Sequence, residues 1–227
     1  MKQLFIVANF KSNKSRSQIE AWMDIFDKQF KEKVVEGKTV ILAPAMPSVL
    51  FVSNRLLAYK ESFALAVQNI SPFPPGAFTG EVSTENLEGF NVQYTIIGHS
   101  ERRKMGETDE MVNEKIARAI EGKITPIVCV SNKEQTHNLQ FPHNMLQPII
   151  AFEPLDAIGT GKPEDPQSAN DVAQKIKNRL GNVRVLYGGS VTAENVHAFT
   201  AQEQIDGVLV GGASLDAKSF SAIIQNA

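Results

Sequence analysis

The chain has a single cysteine, Cys129, among its 227 residues, and an internal disulfide is therefore excluded. Cys129 lies in the apolar run from Ile124 to Val130 and reads as a small core side chain. An excess of one charge is missing too. The 23 basic and 25 acidic residues are mixed along the chain, which leaves no basic stripe for nucleic acid and no polybasic patch for a membrane surface. An anionic ligand would have to be held by local groups. No apolar run reaches membrane-spanning length, and Met1-Lys2-Gln3 leads straight into a strand-like segment without a signal-peptide pattern. No membrane partner is expected, and the expected compartment is the cytoplasm.

Signature motifs of several enzyme classes are absent as well. Neither G-x-G-x-x-G nor G-x-S-x-G occurs, so dinucleotide binding and serine hydrolysis lack their usual entrances. Gly159-Thr160-Gly161-Lys162 imitates the tail of a nucleotide-binding loop, but Asp156 stands at its first glycine position and Pro163 at its Ser/Thr position. His137 and His143 have no Cys or carboxylate pair at ligand spacing, and His197 sits in a helix-like segment. No metal and no cofactor are expected.

What the chain does contain is an alternation. Short apolar runs at Leu4–Ala8, Thr39–Ala43, Phe63–Gln68, Gln93–Gly98, Ile124–Val130, Ile149–Phe152, Asn182–Tyr187 and Asp206–Val210 read as eight strands buried on both faces. Helix-length segments lie between most of them. From Ser17 to Phe30 the residues Ile19, Trp22, Met23, Ile25, Phe26 and Phe30 recur at helical spacing, which makes the sole Trp a core residue. Val49–Tyr59, a helix capped by Thr108 and closed by Gly122, Ala169–Leu180 and Asp216–Gln225 are further helices. Ser131–Pro148 is polar and only weakly periodic, a short helix or a loop. Asn69–Glu81 is too rich in Pro and Gly for a helix, and its Phe73 and Phe78 either meet a second subunit or fold back on their own domain. The fold class expected is α/β, a closed parallel (β/α)8 barrel filling residues 1–227 as one domain.

In such a barrel every strand's C-terminal end lies on one face. That face would gather Asn9, Lys11, His99, Glu153, Ser190 and Gly211. A carboxylate, an imidazole and an ammonium converging on one mouth suit proton abstraction beside a carbonyl, with donors stabilising the oxygen's developing charge. Gly188-Gly189-Ser190 and Gly211-Gly212-Ala213-Ser214 look like backbone N–H cradles for a phosphate. Glu153 is followed by Pro154 and then by Gly159 and Gly161, a stiff entrance and permissive exit that suggest a moving lid.

Taken together, Asn9-x-Lys11, Gly98-His99-Ser100-Glu101-Arg102-Arg103, the stretch from Glu153 to Lys162, Tyr187-Gly188-Gly189-Ser190-Val191 and Gly211-Gly212-Ala213-Ser214-Leu215 resemble the triosephosphate isomerase family and its TIM barrel. The resemblance implies interconversion of the two triose phosphates through an enediolate. It makes Glu153 the base, His99 the electrophile, and Lys11 with Asn9 the stabilisers of substrate charge. The phosphate would rest on the N–H groups of Gly159, Ser190, Gly211 and Gly212. Tyr187 and Ser190 would latch the closed lid, and Glu101 would lie beneath Lys11 and His99. The segment from Gly76 to Glu81 resembles the loop that enters a partner subunit and implies a homodimer. Two departures stand out. Asp156 replaces the Trp usual in the lid, which implies altered lid closure; Ser131-Asn132 replaces the common Gly-Glu and opens a shortened connection after strand five, which implies an apolar groove or an altered oligomer interface. The competing readings are another phosphosugar barrel, an epimerase or aldolase, which would need a Schiff-base Lys or metal ligands, and a non-catalytic phosphometabolite-binding homologue, which would not require Glu153.

Overall fold

A computed structural model of the chain describes residues 2–141, 148–155 and 163–227. Strands β1 (Leu4–Asn9), β2 (Lys38–Ala43), β3 (Phe63–Val67), β4 (Val92–Ile97), β5 (Thr125–Val130), β6 (Ile149–Phe152), β7 (Arg184–Tyr187) and β8 (Gly207–Val210) pair in parallel in chain order. The last returns to the first through the register Phe5 opposite Gly207 to Ala8 opposite Val210, which closes the barrel.

Successive residues of each strand face opposite sides, and the two sets of side chains build separate cores. Val7, Ile41, Ala66, Ile96, Ile127, Cys129, Ala151, Leu186 and Leu209 fill the inside of the barrel. Small Ala residues beside branched ones let that interior fill without strain. The alternate residues, among them Ile6, Ala8, Leu42, Leu65, Val128, Ile150 and Val208, point outward against the helices. One irregularity lies between β3 and β4, where the register shifts between Leu65 and Ala66. The Gln93 side chain repairs the break, its Oε1 accepting from the Leu65 N–H at 2.8 Å.

The surrounding helices are α1 (Arg16–Phe30), α2 (Val49–Leu56), α3 (Ser100–Lys104), α4 (Asp109–Glu121), α5 (Lys133–Asn138), α6 (Pro166–Leu180), α7 (Val196–Thr200) and α8 (Ala217–Asn226). Their starts follow from local chemistry. Ser15 and Gln18 form a reciprocal cap on α1, Thr108 caps α4, and Asp165 caps α6 with Pro166 at its first position. That cap extends α6 three residues before the apolar pattern begins at Ala169. Two other boundaries depart from expectation. Helix α2 stops at Leu56, short of Tyr59, and the β4-to-β5 connection holds α3 and α4 rather than one helix. Between β3 and β4 the only helical turn among the described residues is a 3-10 turn at Glu85–Leu87.

In the connection after β5 the described residues hold α5, six residues long, and positions 142–147 lie outside the described residues. Thr136, Phe152, Val172 and Ile176 line a groove of about 790 Å³ there. At the other end of the barrel, where the strands begin, Asp206 accepts from the Val185 N–H at 2.8 Å and pairs with Lys177 at 2.8 Å. The Lys2 ammonium donates there to the carbonyls of Gln202 (2.7 Å) and Ile205, and Lys38 Nζ to that of Ile224 at 2.6 Å. No helix among the described residues is long and apolar enough to cross a membrane.

Candidate active site at the barrel mouth

Asn9 is the last residue of β1, and Lys11 follows it two positions on. Its backbone has φ +50, a left-handed conformation, and its N–H donates to Asn9 Oδ1 at 3.0 Å. Gln68, directly after β3, holds the same turn by donating through Nε2 to the carbonyls of Lys11 (3.0 Å) and Ala43 (2.8 Å). Sequence reasoning placed Gln68 in a strand and gave it no role, although its position at a strand end was a usable signal.

Glu153 continues β6, its N–H donating to the Val130 carbonyl at 2.8 Å, and it is only 2% exposed. A buried carboxylate needs donors, and two are present. Oε1 lies 2.9 Å from His99 Nε2, and Oε2 accepts from the Ser100 N–H at 3.0 Å. His99 caps α3, its Nδ1 accepting from the Glu101 N–H at 3.2 Å. A ring nitrogen that accepts carries no hydrogen, so this pattern assigns the imidazole proton to Nε2, pointing at Glu153. Lys11 Nζ donates to Glu101 Oε1 at 2.6 Å, and Glu101 Oε2 lies 3.7 Å from His99 Nδ1. Burial alone would raise the Glu101 carboxyl, but Lys11 outweighs it and holds the group below the usual carboxylate range. Beneath them Cys129 is fully buried, and burial followed by the neighbouring Glu153 charge pushes its thiol well up.

The remaining wall comes from β7 and β8. Tyr187 is buried, stacks on Phe199 at 4.0 Å, and its hydroxyl accepts from the Glu164 N–H at 2.9 Å. A Cβ on Gly189 would stand 2.2 Å from that hydroxyl, so the turn must carry no side chain there. Gly212 opens a 3-10 turn that runs to Leu215, and the turn is pinned from behind: Ser214 Oγ donates to the Gly211 carbonyl at 2.7 Å, and Trp22 Nε1 to the Ser214 carbonyl at 3.1 Å. The sole Trp is thus a core residue, as its spacing predicts, and also a fastener for this loop.

Asn9, Lys11, His99, Glu153, Ser190, Gly211 and Gly212 share one cavity of about 250 Å³, a size for a small metabolite. Lys11 also borders Gly211, whose added Cβ would meet its Cε at 3.3 Å. Gly159, together with Asp156 and Gly161 of the expected lid, lies outside the described residues. A second cavity of about 500 Å³ adjoins the first across Lys11 and His99 and reaches Met46, Glu81 and Met105. A cationic group, a carboxylate and a hydrogen-bearing imidazole nitrogen around a small cavity can bind an anion and move a proton on carbon.

A family model described as Triosephosphate isomerase matches residues 4–227. A protein named triosephosphate isomerase from Mesomycoplasma hyopneumoniae (strain 232) is 37% identical over 245 residues, with 100% of both chains covered. One from Dictyoglomus turgidum (strain DSM 6724 / Z-1310) is 36% identical over 255 residues with 100% of both covered. One from Aquifex aeolicus (strain VF5) is 35% identical over 246 residues, covering 97% of this chain and 98% of its own.

Proposed function

The chain belongs to the triosephosphate isomerase family, an enzyme family, and from that premise we propose that it interconverts dihydroxyacetone phosphate and D-glyceraldehyde 3-phosphate through an enediolate with Glu153 as the base. The observation that carries this reading is the contact between Glu153 and His99 at 2.9 Å, inside a cavity that also holds Lys11. Glu153 takes a proton from the hydroxyl-bearing carbon beside the carbonyl and returns it to the former carbonyl carbon, while the hydroxyl proton passes to the former carbonyl oxygen, so that carbonyl and hydroxyl exchange places. The carbonyl oxygen becomes negative in between, and the His99 Nε2–H turns from Glu153 to meet it while the Lys11 ammonium balances the charge. Atoms and electrons balance with no co-reactant, so the step calls for no metal or cofactor. A neutral imidazole working beside a Glu base is the established pattern of this family and is inherited here rather than predicted. Ser190, Gly211 and Gly212 border the cavity where the phosphate would rest, and Gly212 stands at the open start of a turn, where backbone N–H groups lack internal acceptors.

A coupled isomerase assay tests the reading. The parent turns over both triose phosphates, and Glu153→Gln, which keeps the shape and loses the base, lowers kcat by about 10²–10⁴-fold. A folded parent with no turnover would sink the proposal and leave the non-catalytic binding reading.

The same premise supports a homodimer through the loop around Gly76–Glu81. Phe73 and Phe78 stack on each other at 4.4 Å and remain 44% and 39% exposed, an apolar pair that neither folds back into the core nor scatters. Met46 and Met105 are also exposed and edge the larger cavity. Sedimentation velocity at micromolar concentration should show one dimeric species; a lone monomer would overturn this part.

A further inference from the structure

Outside the groups that face the cavity, the described residues hold one ionic cluster buried more deeply than the rest. Lys115 of α4 and Glu107, between α3 and α4, are each 1% exposed at their side chains and meet at 2.8 Å. A buried pair of this kind contributes little net stability, which raises the question of what else it does. Glu107 Oε2 also receives Arg102 Nε, and Lys115 reaches on to Asn69 Oδ1 at 2.8 Å. That leaves Oε1, which accepts from the Gly98 N–H at 2.9 Å.

Gly98 is the residue between the end of β4 and His99, and it has left the strand ladder. Its φ is +69, and an added Cβ would stand 3.0 Å from both Arg103 and Val112, so no side chain steadies it. Its carbonyl accepts from Arg103 Nε at 2.8 Å. Arg103 is itself held by Asp109, NH1 to Oδ1 at 2.5 Å. The most permissive backbone unit before the imidazole is therefore gripped at its N–H by one anchored side chain and at its C=O by another.

We propose that Glu107 and Arg103 are positioning residues that clamp Gly98 from its two sides and so hold the turn that sets the His99 ring beside Glu153 at the cavity. The proposal rests on the isomerase reading for its kinetic arm. Neither side chain lines the cavity that holds Glu153; both act through the turn that carries His99.

Glu107→Gln is the direct probe. Three N–H or ammonium donors converge on two carboxylate oxygens, and a Gln amide offers one oxygen, so either Gly98 or the cations lose their acceptor. The expected result is a fall in kcat of about tenfold or more with KM within about threefold, because orientation rather than binding is lost. The 15N resonances of the His99 ring should shift in the same variant. Arg103→Lys, which keeps the charge and loses the planar fork, should move both readouts in the same direction and serves if Glu107→Gln does not fold. Asp206→Ala, at the far end of the barrel, controls for lost stability and should leave kcat and the ring signals unchanged. Parent-like kcat and parent-like His99 resonances in the folded variants would overturn the proposal, as would an equal kcat loss in Asp206→Ala. If the parent itself shows no turnover the isomerase reading fails, and the ring resonances alone then decide whether the clamp orients His99.

Discussion

Where the strands begin, Lys2, Lys38 and Asp206 spend their polar atoms on backbone groups and on neighbouring charges; where the strands end, Lys11, His99 and Glu153 turn theirs toward a cavity. Both ends bury charge, and the difference lies in what the buried atoms face. Asp206 Oδ2 meets the Val185 N–H and Lys177 at 2.8 Å each, a closed arrangement that a ligand has no means to enter. Glu153 is as deeply buried, yet its two donors, His99 Nε2 and the Ser100 N–H, stand at the wall of a cavity of about 250 Å³. A barrel whose chain connections all cross the same way can divide its labour like this, with one face closing the fold and the other left to chemistry.

The largest expected effect breaks the comparison at the mouth. His99→Gln keeps a side chain able to hydrogen-bond Glu153 but removes the aimed ring N–H, and kcat should fall by about 10²–10³-fold. Thermal unfolding should fall by no more than about 4 °C, the worth of the α3 cap that His99 Nδ1 supplies. A loss of stability as large as the loss of activity would show that the two ends are not specialised.

Next comes the closed end. Asp206→Ala leaves the Val185 N–H without its acceptor and Lys177 without its partner, which should cost about 2–3 kcal/mol. For a chain of this length that is a fall in Tm of roughly 5–10 °C, read by calorimetry. Activity at 25 °C should stay at the parent level. A matching fall in kcat would mean that the strand starts transmit strain to the mouth.

Much of this division was legible from the residues alone, because a strand buried on both faces writes itself as a continuous apolar run and its end as the first polar residue. Asn9, His99, Glu153 and the glycines after Tyr187 and Val210 were found that way, and they do converge. Helix boundaries were less legible where a cap rather than an apolar pattern decides them, as at Asp165 and Pro166, and where a helix is too short for periodicity to show, as in α3. Gln68, Glu107 and Lys115 escaped notice for a different reason. Each serves through a backbone atom or a single distant partner, and nothing in local spacing marks a side chain whose partner lies in another element. The lid carrying Asp156 and Gly159 remains an expectation, since those positions lie outside the described residues.

The smallest effect sharpens the comparison just behind the mouth, by asking whether the charge of the buried Glu107 supports the fold. Burial alone would raise the Glu107 carboxyl above its usual 4.5, but Lys115 and then Arg102 hold it below that value. Between the lowered value and 4.5 the unfolded chain binds a proton that the folded chain refuses. The stability owed to the charged Glu107 is therefore fully present above 4.5 and is lost as pH falls through the folded value. Asp109, held down by Asn138 and Arg103 against its own burial, adds to the same slope in parent and variant alike. Urea unfolding of the parent and of Glu107→Gln should show a stability gap that is constant at neutral pH and narrows as the pH is taken down to about 3.5. A gap that stays constant over that range would mean that Glu107 matters only for its shape and not for its charge, leaving the hold on Gly98 to geometry alone.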